Sequence, residues 1–204
     1  MEQGAAGVTS VKRDTIVEAA AAVFARYGYH KTAMSDIIRA SGVSRATVYK
    51  YFPAKGDVFR AVIWREKKDA IAEIGTAVAA EETARQRLKA ALRTSLRVLH
   101  EKANLYRLAM HSLSEVFPRW MEGEEELRAR TQEIREILMA VLSDGVASGE
   151  LVVGDVELAA EAFLTVFRGI MFGSFAGLDA RPAGELSEAV VDMFLDGLAT
   201  KGEV

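Results

Sequence analysis

The fold follows from KTAMSDIIRASGVSRATVYKYFPAK, residues 31–55. This stretch predicts two short helices joined by a tight turn. The first helix has to end at Gly42, because glycine readily adopts the left-handed conformation that closes a helix. Ser44 is a good N-cap for the second helix, since its hydroxyl accepts a hydrogen bond from an otherwise unpaired backbone N–H. Pro53 ends that second helix.

The second short helix has one narrow apolar seam, which Val48 and Phe52 form at positions i and i+4. The rest of its surface is cationic or carries hydroxyl groups: Arg45, Thr47, Tyr49, Lys50 and Tyr51. Such groups suit a phosphate backbone and base edges. The spacing therefore predicts a DNA-binding helix-turn-helix. The alternative that spacing leaves open is a solvated helix in an ordinary helical domain.

The segment GVSRATVYKYFPAKGDVF, residues 42–59, resembles the DNA-binding signature of the TetR family of bacterial regulators. Ahead of it, VFARYGYHKTAMSDI, residues 23–37, is similar to the end of the family's first helix and the start of its second. Residues 147–170 also resemble the C-terminal region of AefR-like regulators of that family. One departure is Ala33, where the family usually has a capping threonine. We expect a slightly frayed helix start there, with Thr32 or Ser35 as a substitute cap.

Composition favours a folded protein without a membrane span. Half of the 204 residues are hydrophobic, 27% are charged, and none is cysteine. We expect no disulfide, no thiol chemistry and no cysteine-bound zinc. No apolar run approaches the roughly 20 residues of a transmembrane helix, and the N-terminus lacks the pattern of a secretion signal. A cytoplasmic protein fits these features.

Charge is unevenly distributed along the chain. Residues 1–60 hold nine Lys/Arg and five Asp/Glu, a net charge of +4. The remainder holds 17 basic and 24 acidic residues, a net charge of −7. A basic N-terminal part on an acidic remainder is typical of a DNA-binding protein, although chance clustering of a few charges is the alternative.

The whole chain is predicted to be helical, because it has only three prolines and almost no alternating pattern. Helices are expected at 14–27, from about 34, 57–78, 83–101, 104–117, 120–147, 156–175 and 187–200. We divide the chain into a flexible arm at 1–11, a helix-turn-helix domain at 12–56 and a regulatory domain at 57–204. The long helix at 57–78 is the expected link between these two domains. The resemblance implies the same architecture: a three-helix head, a long helix and a C-terminal helical bundle.

The last two predicted helices differ in kind. The helix at 187–200 is apolar on one side, whereas the helix at 156–175 is apolar nearly all round and has to be covered on every face. One covering is a second copy of the chain, and the resemblance implies a four-helix dimer bundle. The alternative is a central helix in a monomer. Our predicted dimer interface comprises Phe163, Phe167, Ile170, Val191, Phe194, Leu195 and Leu198.

The resemblance assigns DNA contacts residue by residue. Arg45, Ala46 and Tyr49 fall where the family contacts bases, and Lys50 is a further candidate. Phosphate contacts are implied for Thr47, Tyr51 and Lys55. A guanidinium in the first turn of the helix can donate to guanine O6 and N7 together. Two such helices on a twofold dimer are expected to bind a palindromic operator in double-stranded DNA, and the resemblance implies a repressor.

The regulatory domain is expected to bind a small apolar or aromatic effector, with no cofactor. Its predicted pocket gathers large or soft side chains: Trp64, Leu92, Leu96, Tyr106, Met110, Phe117, Trp120, Phe163, Phe167 and Met171. An ordinary aromatic core is the alternative, and so is a DNA-binding regulator without a sensor. A metal-responsive regulator is a weaker alternative, because His111 and Glu115 are four residues apart but no third ligand is evident. No catalytic motif is present, so we do not expect an enzyme.

Overall fold

The computed structural model describes residues 2–102, 105, 124–176 and 183–196, with side chains at 11–102, 105, 132–170, 173, 185 and 188–196. Within these residues the secondary structure consists of eight α-helices and no strand. They are α1 (Glu2–Tyr27), α2 (Met34–Ser41), α3 (Arg45–Tyr51), α4 (Lys55–Ala79), α5 (Ala84–Glu101), α6 (Glu124–Ala147), α7 (Val156–Ala176) and α8 (Ala183–Asp196). The predicted all-α class is confirmed. None of these helices is long and apolar enough to cross a membrane.

Most predicted helix ends agree with the structure, and one differs widely. α1 begins at Glu2, well before the predicted start at residue 14, so residues 2–11 are helical rather than an irregular arm. No proline interrupts this segment, and the alanines within it favour a helix. The helix predicted at 104–117 lies almost wholly outside the described residues. α8 starts at Ala183, four residues before its predicted start at 187, and residues 197–200 of the predicted helix lie outside the described residues.

The described chain divides into two compact units. The first runs to Lys67 and includes Leu105, and the second contains residues 68–102 and most of the chain from 125 onward. α4 therefore contributes to both units, which agrees with its expected role as the link. The first unit extends beyond the predicted domain boundary at 56 because α4 completes its core. The domain boundaries themselves stay a prediction.

Aromatic packing closes the core of the first unit. The ring centroids of Phe24 and Phe59 lie 5.0 Å apart, and those of Tyr29 and Phe59 lie 4.9 Å apart. Ile37 of α2 and Val48 of α3 are completely buried in the same core. Burying these apolar side chains together fixes the two short helices against α1 and α4.

The second unit packs α5 against α7 and α8 around a core of aliphatic side chains and Phe163. Ion pairs lie at its surface. Arg85 of α5 donates to Asp192 at 2.5 Å and to Asp196 at 3.0 Å, both on α8. Hydrogen bonds from Lys89 and Arg85 lower the pKa of the Asp192 carboxyl group. Arg85, Asp192 and Asp196 are at least 38% exposed, so we expect their ion pairs to contribute little to stability.

Candidate nucleic-acid interface

The turn between α2 and α3 has the geometry that the sequence predicts. Gly42 caps α2 with φ of 64°, a left-handed conformation that glycine adopts without strain. Ser44 precedes α3, and its Oγ accepts from the backbone N–H of Thr47 at 3.3 Å. The two side-chain oxygens of Ser44 and Thr47 also lie 2.9 Å apart. Both ends of the turn are therefore satisfied, and α3 starts in a fixed orientation.

One face of α3 anchors the helix and the other is open. Val48 and Phe52 are 0% and 3% exposed, so the predicted apolar seam is confirmed. The exposed face presents Arg45, Ala46, Tyr49 and Lys50. Thr47 and Tyr51 are half-buried, and Tyr51 packs against the core of the first unit. Four of the seven predicted DNA-contact residues thus form one continuous exposed surface.

The cations of α3 differ from their neighbours in how they are paired. Neither Arg45 nor Lys50 forms an ion pair with any described residue, whereas Arg39 pairs with Asp36 at 2.7 Å and Arg60 with Asp57 at 3.4 Å. The guanidinium carbon of Arg45 lies 5.3 Å from the ring centroid of Tyr49. A guanidinium stacked on an aromatic ring keeps its N–H groups available for a planar acceptor. This surface can therefore meet phosphate or guanine without first breaking a salt bridge.

Lys55 has a contact within the protein that sequence reasoning did not foresee. Its Nζ donates to the backbone carbonyl of Tyr29 at 2.7 Å and lies 4.3 Å from the ring centroid of the same residue. The ammonium therefore joins the start of α4 to the segment that follows α1. An ammonium has three donors, so a phosphate contact by Lys55 stays a prediction.

The start of α2 is capped from one side only. Asp36 Oδ2 accepts from the backbone N–H of Ala33 at 2.9 Å, but Ala33 has no side-chain acceptor to return the bond. Thr32, which we expected as a substitute, is buried and donates through Oγ1 to the carbonyl of Gly28 at 2.7 Å. Thr32 thus stabilises the end of α1, and the missing cap of α2 costs about 1 kcal/mol.

A small apolar cavity lies inside the second unit, with a volume of about 10 Å³, enough for roughly one water molecule. Its lining comes from α4 to α7: Ile74, Ala91, Ser95, Ile134, Ile137, Leu138, Phe163 and Phe167. The one hydroxyl in this lining is satisfied, because Ser95 Oγ donates to the carbonyl of Ala91 at 2.7 Å. The cavity therefore offers a carbon-lined surface.

Few of the predicted pocket residues line this cavity. Phe163 and Phe167 do, whereas Leu92 and Leu96 are buried in the surrounding core. Trp64 belongs to the first unit instead. There its indole Nε1 is buried without a hydrogen-bond partner among the described residues. The side chains of Tyr106, Met110, Phe117, Trp120 and Met171 lie outside the described set.

Two family models match this chain. The model described as bacterial regulatory proteins of the tetR family matches residues 16–62, which are the helices around α3. The model described as the tetracyclin repressor-like C-terminal domain matches residues 81–171. The chain belongs to the TetR family. It is therefore a transcriptional regulator of the DNA-binding class, as the sequence predicts.

TetR-family relatives resemble the chain over nearly its whole length. The fatty acid metabolism regulator protein of Bacillus subtilis is 27% identical over 196 residues, covering 91% of this chain and 95% of that protein. A putative TetR-family regulator from Mesorhizobium loti has a TM-score of 0.74 at 24% identity, covering 94% of this chain and 98% of that one. The Bacillus subtilis regulator FadR in complex with stearoyl-CoA has a TM-score of 0.68 at 22% identity, covering 90% and 98%. The two structures establish the likeness of fold.

The predicted dimer residues lie mainly inside the TetR-type second unit. Phe163, Ile170, Val191 and Leu195 are each at most 9% exposed, in the core of their own protomer. Phe167 and Phe194 pack partly buried against that core, and Leu198 lies outside the described residues. Periodicity shows how apolar a helix is, but it does not tell which side faces its own bundle.

Sequence reasoning missed an exposed apolar stripe. Leu158 and Val166 of α7 are 66% and 42% exposed, and Met193 of α8 is 76% exposed. Ala162 and Gly169 lie on the same exposed side of α7. The spacing of 158, 162, 166 and 169 matches one helical face. The sequence contains this pattern, but identifying it as the exposed face requires the fold.

No group of three or more potential metal ligands occurs among the residues that the structure describes. His111 and Glu115 lie outside the described residues, so the alternative of a metal-responsive regulator stays untested. The AefR-like resemblance of residues 147–170 stays a prediction.

Proposed function

We propose that this TetR-family regulator is a dimeric repressor that binds a palindromic operator through α3 and is released by a fatty acyl effector. The observation that carries the DNA-binding part is the exposed surface of α3. Arg45 and Lys50 form no ion pair with described residues, and the buried Val48 and Phe52 hold the helix firmly. A rigid helix with unpaired cations on its free face suits the major groove.

The effector proposal rests on the relatives and on the chemistry of the cavity. A fatty acid metabolism regulator matches over nearly the full chain, and the structure of FadR contains stearoyl-CoA. The cavity in this chain is lined by carbon, and its hydroxyl is already bonded. Transfer of an acyl chain from water to such a surface is favourable in free energy. This proposal narrows the expected apolar or aromatic effector to a fatty acyl chain.

The size of the cavity links effector binding to a change of conformation. A volume of about 10 Å³ holds no acyl chain, so α4 to α7 have to move apart for one to enter. Ile74 lines the cavity from α4, and the same helix carries Phe59 in the first unit. An effector that binds only the expanded state shifts the population toward it. Displacement of α4 then alters the position of α3 and weakens operator binding.

Dimerisation is proposed through the exposed stripe of α7 and α8. Leu158, Val166 and Met193 are too exposed to stabilise the protomer, and a second copy would cover them. Ala162 and Gly169 allow two helices to approach closely, and open space surrounds the position of a Cβ at Gly169. This interface replaces the buried residues that the sequence predicted.

The effector test begins with an operator selected by the full-length protein from a pool of random duplexes. Operator affinity is then measured with stearoyl-CoA or with CoA alone. We expect stearoyl-CoA to weaken binding by about 5- to 150-fold, the usual range of allosteric coupling, and CoA to leave it unchanged. Phe167→Trp narrows the cavity and should reduce the loss of operator affinity that stearoyl-CoA causes.

Phe194→Trp is the matched control, because Phe194 packs against the same core without lining the cavity. It should respond like the wild type. A wild-type protein that binds its operator equally with and without stearoyl-CoA would contradict the effector proposal. That result would favour the alternative of a DNA-binding regulator without an acyl sensor, which the small cavity also allows.

A further inference from the structure

The side chain of Arg13, in α1, lies beside the C-terminal end of α3, where it contacts Phe52. Its guanidinium carbon is 5.5 Å from the ring centroid of Phe52, the residue that follows the last residue of α3. Phe52 itself is 3% exposed, whereas Arg13 is exposed. The aromatic ring therefore supports the guanidinium at the surface, beside the C-terminal end of α3.

The described cations of the first unit differ in how they are paired. Arg39, Arg60 and Arg65 contact carboxylates, and Lys55 donates to a backbone carbonyl. Arg13 and its neighbour Lys12 are exposed and form no ion pair with any described residue. Arg45 and Lys50 of α3 share this state, as do Arg26 and Lys31 elsewhere in the unit. What distinguishes Arg13 is its contact with Phe52, which places its charge beside the end of α3.

We infer that Arg13 is a phosphate contact, and that α1 adds a second binding element to the DNA surface of α3. The binding partner of Arg13 is the sugar-phosphate backbone of duplex DNA, next to the bases that α3 contacts. A guanidinium over an aromatic ring keeps N–H groups available for an acceptor, and two of them can bond one phosphate. This inference rests on the proposed DNA-binding role of α3 and adds to it a residue outside the helix-turn-helix.

Backbone contacts make a defined contribution to salt dependence. Each neutralised phosphate contributes about 0.9 to the slope of log Kobs against log salt concentration for duplex DNA. Loss of one contact in each protomer therefore lowers the magnitude of that slope by about 0.9 per protomer. A residue that only covers Phe52 would change protein stability and leave the slope unchanged.

The experiment measures binding of the full-length protein to a random-sequence duplex between about 50 and 200 mM KCl. Arg13→Met keeps a long side chain over Phe52 but removes the charge, and Arg13→Lys keeps the charge. We expect the slope to fall for Arg13→Met and to stay near the wild-type value for Arg13→Lys. Melting temperature verifies that each variant is folded.

Arg26→Met is the matched control on the same helix. Arg26 is also exposed and lies 5.2 Å from the ring centroid of Tyr27, but it is in the last turn of α1, about 20 Å along the helix from Arg13. It should keep the wild-type slope. A folded Arg13→Met protein with the wild-type slope overturns this inference alone. A wild-type protein that binds no duplex even at low salt overturns the proposed function as well.

Discussion

Tyr49 and Arg45 lie one helical turn apart on α3, and their contact suggests a division of labour. The ring of Tyr49 supports the guanidinium of Arg45 at 5.3 Å, and both side chains are exposed. Arginine loses less freedom on binding when a ring already holds its planar group. At the scale of the residue, Tyr49 therefore positions the guanidinium of Arg45 for contact with a base. The family resemblance implied instead that Tyr49 contacts a base itself.

Two substitutions separate these roles of Tyr49. Tyr49→Phe keeps the ring and should bind the selected operator like the wild type. Tyr49→Leu removes the ring and should weaken binding by about 2- to 5-fold, which corresponds to an exposed cation–π contact of 0.5–1 kcal/mol. Fluorescence titration of operator duplex measures both. Equal losses for Phe and Leu would indicate that the phenol hydroxyl contacts the DNA directly.

Local sequence signals predicted local contacts well. Gly42, Ser44, Val48 and Phe52 have the cap and seam roles that their spacing indicates. Lys55 shows the limit of this reasoning, because its bond to the carbonyl of Tyr29 joins positions 26 residues apart. Such a contact depends on how α1 and α4 pack, and no local pattern records it.

At the scale of the element, α7 has two apolar faces with different partners. One face is buried in its own unit through Ala160, Phe163 and Leu164. The opposite face leaves Leu158 and Val166 exposed. The sequence correctly predicted a helix that is apolar nearly all round, but the assignment of faces required the fold. Phe163, a predicted dimer-interface residue, is 2% exposed in the core of its own unit, because periodicity and the family resemblance do not tell which face of α7 meets its own bundle.

A charge on the exposed face of α7 tests the dimer. Val166→Glu should convert a dimer into monomers, because it buries a carboxylate in an apolar interface. The protomer should stay folded, since Val166 is 42% exposed within it. Sedimentation velocity measures the mass of the particle. Val152→Glu, at a residue that is 58% exposed outside α7, is the matched control and should remain dimeric.

Two results would contradict this interface. The wild-type protein could sediment as a monomer at micromolar concentration, or Val166→Glu could remain a dimer with an unchanged melting temperature. The second result would indicate that the protein dimerises through a different surface.

At the scale of the whole molecule, opposite charges are separated along the chain. Residues 1–60 carry a net charge of +4 on a protein whose overall net charge is −3. The basic part contains α3 and Arg13, and the acidic remainder contains the cavity. Attraction to DNA at one part and repulsion at the other orient an approaching molecule. Composition predicted this asymmetry, because counting charges needs no structure.

The most direct measurement compares the affinity of the protein for its selected operator with that for a scrambled duplex at one salt concentration. The wild type should prefer the operator by at least about 10³-fold. Arg45→Ala should lose most of this preference while keeping binding to the scrambled duplex, and Arg26→Ala should retain it. Equal losses on both duplexes for Arg45→Ala, or a wild-type protein that does not discriminate between them, would contradict the account.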